Sequence, residues 1–95
     1  MSKTETTEFE NPTVLWSYRG RFTVRVDQRM VSGVSGKLPP QISMEGSVVT
    51  IDGRIESTRT GFLVFTKYRS FPLTFREVEE IRDANGVLRW KALPV

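Results

Sequence analysis

The chain has 95 residues, of which 38% are apolar and 26% are charged, and this is the composition of one ordinary globular domain. It contains neither cysteine nor histidine, so disulfides and thiolate nucleophiles are excluded and the commonest general base and metal ligand is missing. No hydrolase, nucleotide-binding or zinc-protease motif is present. We therefore expect a binding protein and not an enzyme, without catalytic residues, cofactors, metals or a small-molecule substrate.

The N-terminal residues are polar and lack periodicity up to Pro12. They predict a disordered lead-in over residues 1–12, followed by a single β-rich domain over residues 13–95. No segment has the apolar core of a signal peptide or the length of a membrane span, since the longest apolar run, residues 62–65, has four residues. The sequence thus predicts a cytoplasmic protein that does not contact membranes.

Residues 13–27 give the clearest secondary-structure signal. Apolar side chains fall on the even positions and mostly polar ones on the odd positions, which predicts a half-buried strand. The run is longer than a typical strand of about 5–6 residues, and Gly20 interrupts its apolar face. This glycine predicts a bend or a bulge within the strand, and two strands joined at Arg19-Gly20 are the alternative.

The middle of the chain is interpreted as a loop followed by further strands. Ser-Gly and Pro-Pro dipeptides predict a long loop over residues 28–41. Asp52-Gly53 predicts a hairpin, with a three-residue loop over residues 51–53 because that register keeps the apolar side chains on one face. Residues 62–68 are apolar on both alternating faces, which predicts a central strand covered on both sides.

The C-terminal part is ambiguous between helix and strand. Thr74 and Glu77 match a capping box, and apolar residues then recur at every third position, which predicts a short helix near residues 75–83. A β-hairpin across Asn85-Gly86 is the alternative, and residues 87–93 form the last predicted strand. The fold class is therefore mainly β: a small β-barrel or a strongly bent antiparallel sheet of five to six strands with one short helix.

Basic charge is concentrated in the middle of the chain. Residues 11–76 carry ten lysines and arginines against four acidic residues, and arginine suits carboxylates and phosphates better than lysine does. The arginines of the first strand share one face, and they would form one patch with Lys67 and Arg69 if the two strands were neighbours. Trp90, between two cations, is either a core residue or an interface anchor. The candidate residues for binding a partner or phosphate are Arg19, Arg21, Arg25, Lys67, Tyr68, Arg69 and Trp90.

These basic residues are compatible with two functions. The first is a protein-interaction module (a small regulatory adaptor, an inhibitor or an oligomer subunit) that binds a protein partner or a second copy through the arginine face and an exposed edge strand over residues 87–93. The alternative is a nucleic-acid-binding β-module whose cations contact the phosphates of DNA or RNA while Tyr18 or Tyr68 stacks on bases. The moderate basic excess, without interleaved aromatic residues, favours the first function.

Overall fold

The computed structural model describes residues 14–93, and the predicted lead-in over residues 1–12 lies outside this range. In chain order the elements are β1 (Trp16–Val26), a 3-10 turn (Gln28–Met30), α1 (Val31–Lys37), β2 (Met44–Glu45), β3 (Val48–Ser57), β4 (Gly61–Thr66), β5 (Ser70–Thr74), a second 3-10 turn (Phe75–Glu77), β6 (Val78–Asp83) and β7 (Leu88–Lys91). The strands form one antiparallel sheet in the order β5-β4-β3-β1-β6-β7, and β2 pairs with β3 beside this path. The mainly β fold class is therefore confirmed.

The sheet is strongly bent but does not close into a barrel. Phe62 of β4 and Trp90 of β7 have ring centroids 5.0 Å apart, although three strands lie between β4 and β7 in the sheet. In a flat sheet those two strands would be about 19 Å apart, because neighbouring strands are about 4.8 Å apart. Phe75 fills the gap, edge-on to Phe62 at 5.3 Å and stacked on Trp90 at 5.9 Å. These rings close the concave side of the sheet over the core.

The alternation predicted for the first strand is confirmed, and it builds the core. Phe22, Val24 and Val26 are fully buried on the concave side, where they join apolar residues from β3, β4, β5 and β6. The loop predicted over residues 28–41 is wrong in part, because it contains α1. That helix packs on the core through Val34, which lies three positions after Val31 on the same helical face, and the glycines of the segment obscured this spacing.

The hairpin predicted at Asp52-Gly53 is also wrong, because β3 runs through both residues without a break. Gly53 is required there for a different reason: the carbonyl oxygen of Phe65 in β4 occupies the place that a Cβ on residue 53 would take. Gly20 lies directly across from Gly53 and adopts φ +138°, a conformation that L side chains rarely adopt. Gly20 thus has an irregular backbone conformation, but no bulge forms there, because the register with β3 runs through this residue without a shift and β1 remains one strand.

The helix predicted near residues 75–83 is also wrong. The capping box forms, because the backbone N–H of Thr74 donates to Oε1 of Glu77 at 2.8 Å, but it caps only the single 3-10 turn. From Val78 onwards the chain is the strand β6, and the alternative hairpin with its turn at Asn85-Gly86 is the correct interpretation.

A register irregularity explains why this strand resembled a helix. The pairing of β1 with β6 shifts between Arg25 and Val26, opposite the start of β6. Because of this shift, Val78 and Ile81 are both buried on the core side although they are three positions apart. Spacing by three is a helical period, so the bulge concealed the strand from the sequence pattern.

We predict opposite effects for two glycine-to-alanine substitutions. Gly53→Ala drives a Cβ into the Phe65 carbonyl and lowers the free energy of unfolding by about 1–3 kcal/mol, the usual cost of overpacking. Gly33→Ala, in α1 with no atom within 4 Å of the new Cβ, raises it by about 0.5–1 kcal/mol because alanine favours helix. Urea denaturation of both variants measures the two changes. Equal tolerance of both substitutions would contradict the close approach of β4 to β3.

Candidate partner-binding surface

The three arginines of β1 lie on the face of the sheet that points away from the core, which we call the outer face. Arg19, Arg21 and Arg25 are all exposed, whereas the intervening Phe22 and Val24 are buried on the other side. Alternate residues of a strand are about 6–7 Å apart, so the three guanidinium groups can follow one line along the strand. The structure therefore brings these three predicted site residues together.

Ion pairs within the chain already engage one end of this line. Arg25 lies opposite Glu80 of β6, and its Nη2 is 3.6 Å from the Glu80 carboxylate. The same carboxylate accepts a hydrogen bond from Arg82 Nε at 2.7 Å. Hydrogen bonding by Arg82 is the main reason that the pKa of Glu80 is lowered, with the charge of Arg25 adding to it. Arg25 thus belongs to an internal network as much as to the surface.

Arg19 and Arg21 differ from Arg25 in this respect. Among the described residues, neither forms an ion pair or a side-chain hydrogen bond. Arg19 is directly across from Arg54 of β3, but the Arg54 guanidinium lies over Phe65 of β4 and beside Glu56. Arg21 is across from Asp52 without a salt bridge to it. A carboxylate added from outside the chain could therefore pair with either Arg19 or Arg21.

Sequence reasoning missed Arg54 because residues 51–53 were interpreted as a turn. Its guanidinium carbon lies 4.3 Å from the centroid of the Phe65 ring, and its Nε is 3.4 Å from the Glu56 carboxylate without a hydrogen bond. Arg54 therefore covers the aromatic ring that β4 contributes to the outer face. A continuous alternation from Val48 to Ser57 was the signal that could have placed it there.

The single patch predicted between the first strand and residues 67–69 does not form. The strand β3 lies between β1 and β4, and β4 ends at Thr66, so Lys67, Tyr68 and Arg69 lie in the turn to β5. Thr66 Oγ1 closes this turn by accepting hydrogen bonds from the backbone N–H groups of Tyr68 and Arg69, each at 3.1 Å. These three predicted site residues therefore form a separate surface.

The side chains of this turn have contacts of their own. Arg69 donates from Nη2 to the backbone oxygen of Lys37 at 2.6 Å, and so satisfies a carbonyl at the C-terminal end of α1. Lys67 places its Nζ 5.4 Å from the centroid of the Tyr68 ring. Arg69 thus has a structural role, and Tyr68, which is 44% exposed, is the exposed aromatic residue of the turn.

Trp90 is half-buried in the aromatic cluster, and it also forms one wall of a groove. The groove has a volume of about 890 Å³ and lies at the end of β7, where Met30 and Phe75 contribute apolar walls. The charges at its rim largely satisfy one another: Arg29 donates to both carboxylate oxygens of Asp27, at 3.0 and 2.7 Å. Hydrogen bonds from Arg29 hold the pKa of Asp27 at about 2. Trp90 is therefore mainly a packing residue in this fold.

On a helix, Glu79 and Asp83 would share a face, but both residues lie in the strand β6. The acidic side chains of Glu77 and Asp83 have partners of their own. Burial raises the pKa of Glu77, but hydrogen bonds from Lys37 Nζ at 2.7 Å and from the Thr74 backbone outweigh it, so the pKa is lowered. The pKa of Asp83 is lowered as well. Burial alone would raise this pKa, but hydrogen bonds from two backbone N–H groups and from Arg89 Nε outweigh the effect of burial. Within residues 14–93, no three carboxylates converge into a group that could hold a metal ion.

Comparison of the chain with protein-family models, with curated protein sequences and with solved structures finds no match. Across residues 14–93, no helix has the length and apolar character needed to cross a membrane, and α1 has only seven residues. The function is accordingly inferred from the surface itself, and the strongest feature of that surface is the pair Arg19 and Arg21.

The Asp27 ion pair predicts a defined loss of stability in acid. Because the folded pKa of Asp27 is about 2 against an ordinary 3.8, its stabilisation is complete above pH 3.8 and disappears as the pH falls to about 2. The difference in unfolding free energy between the wild type and Asp27→Asn should therefore close over this interval. Urea denaturation at a series of pH values measures it, with Glu45→Gln, in the short exposed β2, as the control. A difference that persists unchanged down to pH 2 would contradict the paired geometry.

Proposed function

We propose that this protein is a non-enzymatic binding module that holds an acidic surface of a partner protein against its outer face. The observation that carries the proposal is the pair Arg19 and Arg21, which are exposed on one face and form no ion pair with any described residue. Guanidinium groups bind carboxylates through two parallel hydrogen bonds, and arginine is among the residues that dominate binding energy at interfaces.

The contrast with the other cations supports this assignment. Several arginines of the sheet already have carboxylate neighbours: among the described residues, ion pairs involve Arg25, Arg29, Lys37, Arg54, Arg82 and Arg89. Arg19 and Arg21 instead hold their charge on an exposed strand without an ion pair to any described residue. A partner carboxylate at this position gains attraction from both cations.

The signs of charge on the outer face favour a protein over a nucleic acid. Asp52, Glu56 and Glu80 share this face with the arginines, and a continuous phosphate backbone would be repelled by them. The aromatic ring of the same face, Phe65, is covered by Arg54 and does not offer a platform for base stacking. A mosaic of both signs is the arrangement that gives protein interfaces their specificity.

Nucleic acid is the second candidate, and one observation favours it. Tyr68 is 44% exposed in the β4–β5 turn with Lys67 beside its ring, a combination that could stack on a base and neutralise a phosphate. This turn is separated from the arginine pair by a whole strand, so the two surfaces do not form one groove. The arrangement therefore supports nucleic-acid binding less than it supports an acidic protein partner.

Self-association through the outer face is disfavoured by charge. A two-fold interface places the same patch on both subunits, so a face on which arginines outnumber carboxylates would oppose a second face with the same excess of positive charge. The strand β7 lies at the end of the sheet, but it has four residues, a register shift and a lysine, features that hinder strand pairing. We therefore assign partner binding to the outer face and not to β7.

The proposal is tested by comparing ligands that are all negatively charged but differ in their chemistry. We expect a fluorescently labelled glutamate-rich peptide to bind the full chain at physiological salt more tightly than labelled single-stranded DNA, duplex DNA or RNA does. Arg19→Glu with Arg21→Glu should weaken peptide binding by about tenfold or more, since close like charges across an interface cost several kcal/mol. Fluorescence anisotropy measures both comparisons.

Lys67→Glu is the matched control, because it reverses an exposed cation outside the outer face. It should leave peptide affinity nearly unchanged. Tighter binding of nucleic acid than of the peptide, lost in Lys67→Glu, would overturn the proposal in favour of the second candidate. Lys67→Glu reverses one charge and the double variant reverses two, so a loss of binding free energy in Lys67→Glu that is half the loss in the double variant would show that only net charge matters and would overturn the proposal.

A further inference from the structure

The N-terminal half of β1 has a free edge. Along its length β1 pairs with β3, from Trp16 opposite Ser57 to Arg25 opposite Val48. On its other side β6 pairs with it only from Phe22 onwards, because the chain turns away after Asp83. Among the described residues, no strand lies beside Trp16–Gly20 on that side.

Backbone hydrogen bonds at the far end of β1 show which groups face this free edge. The N–H of Val26 donates to Ser47 on the β3 side at 2.7 Å, and the N–H of Asp27 donates to Glu77 on the β6 side at 2.9 Å. Backbone groups of successive residues alternate between the two sides of a strand, and the register of β1 with β3 is unbroken. Within the unbroken register from Trp16 to Arg25, the N–H and C=O groups of Ser17 and Arg19 therefore face the free edge. Leu15, which precedes this register, departs from the alternation, because its N–H donates to Ser57 on the β3 side at 2.7 Å.

The side chains along this edge form two different rows. Ser17 and Arg19 are exposed on the outer face, and Arg21 continues that row. Trp16 and Tyr18 are half-buried on the opposite face, so part of each aromatic side chain remains exposed. A strand added here would meet guanidinium groups on one face and aromatic surface on the other.

The tyrosine of this edge is fixed in position. Its hydroxyl donates to the backbone oxygen of Arg21 at 3.3 Å, and the guanidinium carbon of Arg89 lies 5.1 Å from the ring centroid. The Tyr18 ring also lies over Gly20, with its hydroxyl 3.2 Å from the place where a Cβ on residue 20 would be. The edge therefore has a rigid aromatic side before any partner arrives.

This edge differs from the two ends of the sheet. The strand β5 carries Pro72, which has no N–H to donate, and β7 is short, irregular in register and basic. Trp16–Gly20 has neither a proline nor a shift in its pairing with β3. The charge of Arg19 opposes pairing with the same edge of a second copy of the chain. The same charge attracts an acidic strand.

We propose that an acidic, extended segment of the partner protein adds as a strand to Trp16–Gly20. Its backbone pairs with Ser17 and Arg19, its carboxylates lie beside Arg19 and Arg21, and its apolar side chains cover Trp16 and Tyr18. This mode of recognition gives affinity through main-chain hydrogen bonds and specificity through alternate side chains. The inference rests on the proposed function, since it specifies how the acidic partner is held.

Amide hydrogen exchange of the full chain, measured by NMR, tests the pairing directly. In the free protein the amides of Ser17 and Arg19 should exchange quickly, whereas those of Thr23 and Arg25, which face β6, should exchange slowly. A saturating peptide of alternating glutamate and valine should slow exchange at Ser17 and Arg19 by about tenfold or more. The amide of Tyr18, which faces β3, should change little.

A peptide of the same sequence with N-methyl groups along its backbone is the matched control, because it keeps the carboxylates but cannot donate to β1. We expect its affinity to be lower by about tenfold or more, the effect of losing about 1.4 kcal/mol or more of hydrogen bonding. Equal binding of both peptides, lost in Arg19→Glu with Arg21→Glu and without protection of Ser17 and Arg19, would overturn strand addition while leaving the proposed function intact. If neither peptide binds, both proposals fail.

Two other occupants of the edge are separate outcomes of the same experiment. Slow exchange at Ser17 and Arg19 that develops with protein concentration would identify a second copy and overturn the proposal. Slow exchange at every concentration that is lost in Glu8→Lys with Glu10→Lys would identify the chain's own N-terminal residues as the occupant, and this would also overturn it. Exchange that is fast in the free protein and slow only with the peptide supports the proposal.

Discussion

The close approach of β4 to β3 depends on one glycine. Gly53 of β3 lies directly opposite Gly20 of β1, and the Phe65 carbonyl of β4 occupies the place that a side chain on residue 53 would take. With a side chain at residue 53, β4 could not keep this distance from β3. On the concave side of this bent sheet, Phe62 of β4 reaches Trp90 of β7, and the aromatic cluster closes over the core.

The same bend explains why the surface has its particular form. Along the concave side, apolar side chains of β1 are buried by β4, β5 and β6, and every odd position is thereby directed outwards. The β6 strand follows β1 only as far as Phe22, so the first half of β1 keeps an open edge next to Arg19. Among residues 14–93, a cation without an ion-pair partner and a backbone edge without a neighbouring strand thus occur at one place.

Much of this arrangement could be predicted from residues 13–27, because period-two alternation depends only on local burial. It placed Phe22 in the core and Arg21 at the surface, as the structure shows. The free edge could not be predicted, because it depends on where β6 ends along β1. A local sequence pattern does not show which distant strands pair with each other. Arg54 was missed for a related reason: Asp-Gly is a turn signal, and only the approach of β4 explains a glycine at residue 53 inside a strand.

The other errors also have physical causes in particular residues. A true capping box at Thr74 introduced one 3-10 turn instead of a helix, since the following residues gain more by pairing with β1 than a short exposed helix could offer. Lys67 and Arg69 do not form one patch with the arginines of β1, because β3 separates β4 from β1. The sequence pattern could show which face of a strand carries the charged side chains. It could not show which strands are neighbours in the sheet, because that depends on the topology.

The most direct test of the account is an NMR titration of the full chain with a glutamate-rich peptide at physiological salt, observing the Nε–Hε groups of the arginines. We expect the Nε–Hε signals of Arg19 and Arg21 to shift and sharpen as their guanidinium groups acquire carboxylates. The signal of Arg29, whose Nε already donates to Asp27 at 3.0 Å, should stay in place. Shifts confined to Arg69 or to the groove around Trp90, with Arg19 and Arg21 unchanged, would contradict the claim that the outer face of β1 binds the partner.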